Sequence, residues 1–298
     1  MKLFSRIVIV VVALLLVSIT MIDAQNPGPL QQINAQLAAQ GLNVRAESIE
    51  FLTIGGGRPS NRIHQQATAW VPNDERRLAQ GTDLTYLVVN NGRYGGKTAS
   101  GLNANQTEGA IDRAMTTWNN HSCMSTVNLA KRPSPSPSQD VTIFDYFFGF
   151  GGYGYPFAAD IVNAGWWPRE YFETVGGEGG GRGILAFSVT FIFTDDNGTP
   201  TDINHDNYLD AALNEVYYND TFGDRRNDRA GNPWGINIAL PGIDVETVAL
   251  HENGHSLGLG HFGPPPDAVM NPVYAGIRHE PLQADTTGIC IIYNNWPN

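Results

Sequence analysis

An α+β domain is the fold class this 298-residue sequence predicts, on three observations. Residues 83–89 (DLTYLVV) and 183–193 (GILAFSVTFIF) are rich in β-branched and aromatic side chains and read as strands. Ile111, Ala114, Met115 and Trp118 stand at i, i+3, i+4 and i+7, the pattern of an amphipathic helix. The string HENGHSLGLGH, residues 251–261, sets His251 and His255 four residues apart, where a helix carries both imidazoles on one face.

Each remaining residue of that string has a physical task. Glu252 adjoins the first histidine, so its carboxylate can reach a metal-bound water without ligating the metal. Gly258 can adopt a positive φ, ending the helix and turning the chain back. His261 then supplies a third nitrogen. Three protein nitrogens leave one tetrahedral position open for water, which is the catalytic pattern for zinc.

The residues that follow extend the pattern. Met270 lies in DAVMNP (267–272), Pro272-Val273-Tyr274 comes next, and Asp285 to Tyr293 form a closing apolar segment. Together with H-E-x-x-H-x-x-G-x-x-H, these stretches resemble the matrixins among the metzincin metalloproteases. The resemblance implies a metzincin-like catalytic domain over residues 81–298. Its upper part would be a mixed, twisted sheet with two long helices, and a short C-terminal subdomain from about residue 262 would end in a helix. It also implies that Met270 floors the metal site and that Pro272 and Tyr274 wall the substrate pocket. Ile184, Leu185 and Ala186 would lie on an edge strand that pairs with an extended substrate, although an ordinary core strand has an equal claim on them.

Three departures from the family qualify the match. His205 is the only histidine between residues 125 and 250, so a second, structural zinc is not expected. No cysteine precedes residue 82, which removes latency by a thiol on the metal. Ala284 stands where the family carries the first acid of a pair, leaving the ion pair of that acid unsupported.

The N-terminus carries an address. Lys2 and Arg6 precede an apolar run from Ile7 to Ile22, and Ala24 offers a cleavage site, so residues 1–24 read as a signal peptide, with an uncleaved anchor as the alternative because the run is long for such a signal. Residues 25–80, with a short helix and a strand suggested by INAQLAAQGLNVRAESIEF, are either a propeptide or an extension packed on the catalytic domain. A net charge of −11 argues against nucleic acid and anionic membranes as partners. The expectation is a secreted monomer acting on proteins or peptides, with no stable membrane association once the signal is removed.

Two further features concern disulfides and metals. Cys123 and Cys290 are the only cysteines. In an oxidising compartment they would pair, tying the first helix to the last; the alternative is two buried thiols. Asp202, Asn204, Asp206, Tyr208 and Asp210 alternate as calcium ligands do in an EF-hand loop. Asn207 replaces the turn glycine and Leu213 the terminal glutamate, so a solvated acidic loop competes with that reading.

The expected activity is zinc-assisted hydrolysis of peptide bonds, with Glu252 as general base and calcium as a second candidate metal. An inactive binding or adhesion module on the same scaffold is the competing class. Retention of Glu252 and all three histidines argues against it. A metal-dependent hydrolase of another substrate class shares every motif residue.

Overall fold

Strand-forming segments from both halves of the chain meet in one mixed, seven-stranded sheet. The computed structural model describes residues 28–55, 67–77, 81–90, 101–133, 142–150, 158–223 and 231–296; the signal segment expected at 1–24 lies outside them. In chain order the principal elements are α1 (Pro29–Ala39), β1 (Val44–Thr53), β2 (Leu84–Val88), α2 (Ala104–Asn119), β3 (Leu129–Lys131), β4 (Ile161–Trp167), α3 (Arg169–Gly176), β5 (Ile184–Phe193), β6 (Leu209–Asn219), α4 (Val245–Ser256) and α5 (Gln283–Tyr293).

The strands lie in the order β1-β5-β6-β4-β2-β3, with the short strand Thr68–Ala69 parallel to the start of β6. β5 runs antiparallel to both its neighbours, whereas β6, β4, β2 and β3 are mutually parallel. Alternate residues serve two cores. Tyr86, Val88, Ile161, Val216 and Tyr218 join the core shared with α2, α4 and α5. Leu87, Val162, Phe187, Leu213 and Tyr217 join a second core with Ile33 and Leu37 of α1 and Tyr171 and Phe172 of α3. A sheet covered on both faces needs apolar residues at nearly every position, which is why 184–193 is a continuous apolar run rather than an alternating one.

The two long helices expected from the family are α2 and α4. At the start of α2, Asn103 accepts from the Gln106 amide while the Gln106 side chain accepts from the Asn103 amide, a reciprocal cap. Ile111, Ala114, Met115 and Trp118 are all buried, and Trp118 Nε1 donates to Leu250 O at 2.9 Å, fastening α2 to α4. The expected lower subdomain is also present: an irregular path after Gly258 ends in α5. A disulfide from Cys123 to Cys290, with Cα atoms 5.0 Å apart, ties α5 to the turn that follows α2.

The described residues before residue 80, 28–55 and 67–77, belong to this same body. β1 pairs along the whole of β5, Trp70 Nε1 donates to Ser256 O at 2.8 Å, and Arg77 forms a buried ion pair with Asp160 at 3.0 Å. Among the described residues, no helix is long and apolar enough to cross a membrane.

Candidate metal centre and substrate cleft

The metal motif sits on a helix that is buried on every side. Asp244 caps α4 by accepting from the Thr247 amide at 2.8 Å, and every residue from Val245 to Ser256 is buried. Such a helix needs polar partners on its sheet side as well as apolar ones. Asn253 Nδ2 donates to Asn163 Oδ1 at 3.1 Å, and Tyr218 donates to the same oxygen at 2.7 Å. Ser256 donates to Asn214 at 2.6 Å. These bonds fix the rotation of α4 over the sheet, and with it the direction of His251, Glu252 and His255.

α4 stops at Ser256, and Gly258 takes φ +90°, in keeping with its expected role. A Cβ at Gly258 would stand 2.7 Å from Thr68 O, so the site demands glycine on contact as well as on conformation. The turn brings His261 back to the helix. The three Nε2 atoms of His251, His255 and His261 lie 3.2–3.3 Å from one another.

The outer nitrogens decide how those rings are protonated. His251 Nδ1 is 2.7 Å from Val269 O, and His255 Nδ1 is 2.7 Å from Leu259 O. A carbonyl only accepts, so each Nδ1 carries the hydrogen and each Nε2 turns a bare lone pair inward. Burial, followed by the neighbouring His261, lowers the His251 pKa to about 3, keeping that ring neutral. Converging bare acceptors repel unless a cation lies between them. Nitrogens about 2.0–2.1 Å from a tetrahedral zinc would stand about 3.3–3.4 Å apart, so the triangle fits zinc.

Glu252 is fully buried, and neither of its oxygens has a hydrogen-bond partner of ordinary geometry. Burial raises its pKa well above the carboxylate range, the nearby Glu50 charge raises it further, and the Leu52 amide partly offsets both. Glu50 also places a carboxylate oxygen 3.1 Å from His261 Nδ1, a close approach that is off the line of a hydrogen bond. Beneath the site Met270 is buried, and it fits there because residue 254 is glycine: a Cβ on Gly254 would stand 2.4 Å from Met270 Sδ.

Asp285 holds the methionine turn in place. Its carboxylate accepts from the amides of Val269 (2.8 Å), Met270 (3.0 Å) and Leu282 (2.8 Å). One acid therefore serves both as the first-turn acceptor of α5 and as the anchor of residues 269–270, although Ala284 stands beside it. Sequence reasoning placed Asp285 in a closing helix without finding this task, which only the three-dimensional path of 269–270 reveals.

Tyr274 borders a small pocket that Leu52, Thr247, His251, Val269 and Val273 also line, whereas Pro272 does not line it. The Tyr274 hydroxyl accepts from the Asp244 amide at 2.9 Å, linking the pocket wall to the cap of α4.

The expected substrate strand is different. Ile184, Leu185 and Ala186 are fully buried in β5, which is an interior strand. The reason is β1: it takes the edge position beside β5, so these three residues present no free edge. Glu50, Leu52 and Thr53 of β1, which no motif marked, are the residues that enter the cleft. The sequence suggests a short strand ending at Phe51 but not its neighbour.

The five candidate calcium ligands are divided. Asp202, Asn204, Asp206 and Tyr208 lie on the loop before β6, where Asp202 accepts from the amides of Asp206 and Asn207, both at 3.1 Å. Asp210 is buried, and its carboxylate accepts from Arg76 (2.7 Å), Thr201 (2.6 Å) and the Ile203 amide (3.2 Å). That carboxylate is committed to a cation of the protein itself. Apart from the histidine triangle, the one other metal-compatible group among the described residues is His121, Cys123 and Cys290, whose two sulfurs form the disulfide.

Residues 188–294 match the family model described as matrixin, a span from within β5 to the end of α5 that includes all three histidines and Glu252. No curated protein matches the chain.

Proposed function

Because this chain is a matrixin-like metzincin, we propose that it is a secreted zinc-dependent endopeptidase. The observation that carries the proposal is the triangle of inward-facing Nε2 atoms, 3.2–3.3 Å apart, with the buried Glu252 on the same helix. His251, His255 and His261 would hold the metal. Zinc bound there supplies polarisation of the scissile carbonyl and acidification of a water.

The remaining tasks fall to the chain. Glu252 takes the water's proton and delivers it to the departing amine. The Val269 and Leu259 carbonyls keep His251 and His255 in the tautomer that leaves Nε2 free. Pro272 and Tyr274 orient the residue after the cut, and Met270 supplies an apolar floor. Secretion is supported by the signal-like residues 1–24 and by the disulfide, since such bonds persist in oxidising compartments.

The test is Glu252→Gln. Zinc content measured by atomic absorption should stay near one per chain, while casein hydrolysis falls by at least about 10²–10⁴-fold. Undiminished proteolysis in that variant would falsify the assignment. An adhesion module that keeps the metal but lacks activity would show no casein hydrolysis in the unaltered chain.

A further inference from the structure

From the path of β1 we infer that residues 50–53 lie in the cleft as a peptide substrate would, and that Phe51–Leu52 is the first bond the site cuts. The inference rests on the endopeptidase reading. Three features of the geometry carry it. β1 adds to the edge of β5 in antiparallel register, with Leu52 opposite Ala186 and Thr53 opposite Ile184. Its other side is held by the pocket wall: the Thr53 amide donates to Pro272 O at 3.1 Å, and the Tyr274 amide donates to Thr53 O at 2.8 Å, so Thr53 bridges Val273 in parallel. A strand clamped by main-chain bonds between a sheet edge and a wall segment is bound in the strand-addition mode, which reads backbone first and side chains at alternate pockets.

The side chains agree with the backbone. Leu52 lines the same pocket as His251, Val269 and Tyr274, whereas Phe51 points to the opposite core and packs on Phe187, ring centroids 5.8 Å apart. The β1 residue that shares this pocket with His251 is Leu52. Its nitrogen belongs to the Phe51–Leu52 bond and would become the leaving amine. The step consumes one water. The water oxygen joins the Phe51 carbonyl carbon, the carbon–nitrogen bond breaks, and a proton carried by Glu252 passes to the Leu52 nitrogen. The products are a carboxylate at Phe51 and a free amine at Leu52. The same occupancy keeps other peptides out until the bond is cut.

The experiment follows the chain's own ends. The purified full chain is incubated with zinc and analysed by intact mass and N-terminal sequencing. A new terminus at Leu52 is expected, and it should be absent in Glu252→Gln. Leu52→Arg puts a charge in an apolar pocket and should slow that cut by at least about tenfold. Leu52→Ala serves the same comparison if the arginine variant does not fold. If casein is degraded while no Leu52 terminus forms, the inference fails and the endopeptidase reading stands. If the zinc-loaded chain cuts neither casein nor itself, the endopeptidase reading fails and takes the inference with it.

Discussion

Gly258 and Asp285 do the least conspicuous work in the metal centre and offer clear tests of it. Gly258→Ala forces a side chain onto φ +90° and sets a methyl group 2.7 Å from Thr68 O. Strain of this kind costs about 1–3 kcal/mol, which should appear as a lower denaturant midpoint with an unchanged slope. Asp285→Ala removes the acceptor of three amides at once. Each buried donor left unpaired costs about 1–3 kcal/mol, so a loss of at least about 3 kcal/mol is expected. Zinc affinity should fall with it, because Val269 O holds His251 and Val269 N is held by Asp285. A titration showing unchanged zinc affinity in Asp285→Ala would separate the turn from the metal site.

At the scale of elements, what the sequence reveals depends on whether a signal is local. The HENGHSLGLGH string, the buried face of α2 and the apolar run of β5 could be read directly, since each is written within one helix or strand. The pairing of β1 with β5 could not, because Val44 opposite Phe193 joins residues 149 positions apart and no periodicity encodes a neighbour. The same limit hid Glu50, Leu52 and Thr53 from the candidate site, and it misassigned Ile184, Leu185 and Ala186 to an open edge. The disulfide crosses an equally long interval, yet two lone cysteines allow only one pairing. Cys290→Ser should lower the unfolding free energy by about 2–5 kcal/mol by releasing α5 from the turn after α2. Calorimetry of the variant beside the parent checks this, and equal midpoints would mean that α5 is held by its packing alone.

For the whole molecule, metal and fold should be linked. The histidines come from α4 and from the chain beyond its end, so a zinc ion would join the two parts of the domain across the cleft. A ligand that binds only the folded state at 1,000 times its dissociation constant adds about 4 kcal/mol. Removing zinc with a chelator should therefore lower the thermal midpoint by on the order of 10 °C. Re-addition should restore it in the parent and in Glu252→Gln alike, because that variant keeps all three nitrogens.

The position of β1 also bears on solubility. β5 is ten residues long, apolar and fully covered while β1 lies beside it. Bare strands of that length and composition pair readily with other chains, and natural sheets normally shield them. A chain beginning at residue 81 would lose the shield and should self-associate, visible as light scattering during refolding. Cleavage after Phe51 is different: residues 44–51 would stay hydrogen-bonded along β5. A cut at that point would free the wall side of the groove, beside Val273 and Tyr274, and leave the sheet sealed against its own kind.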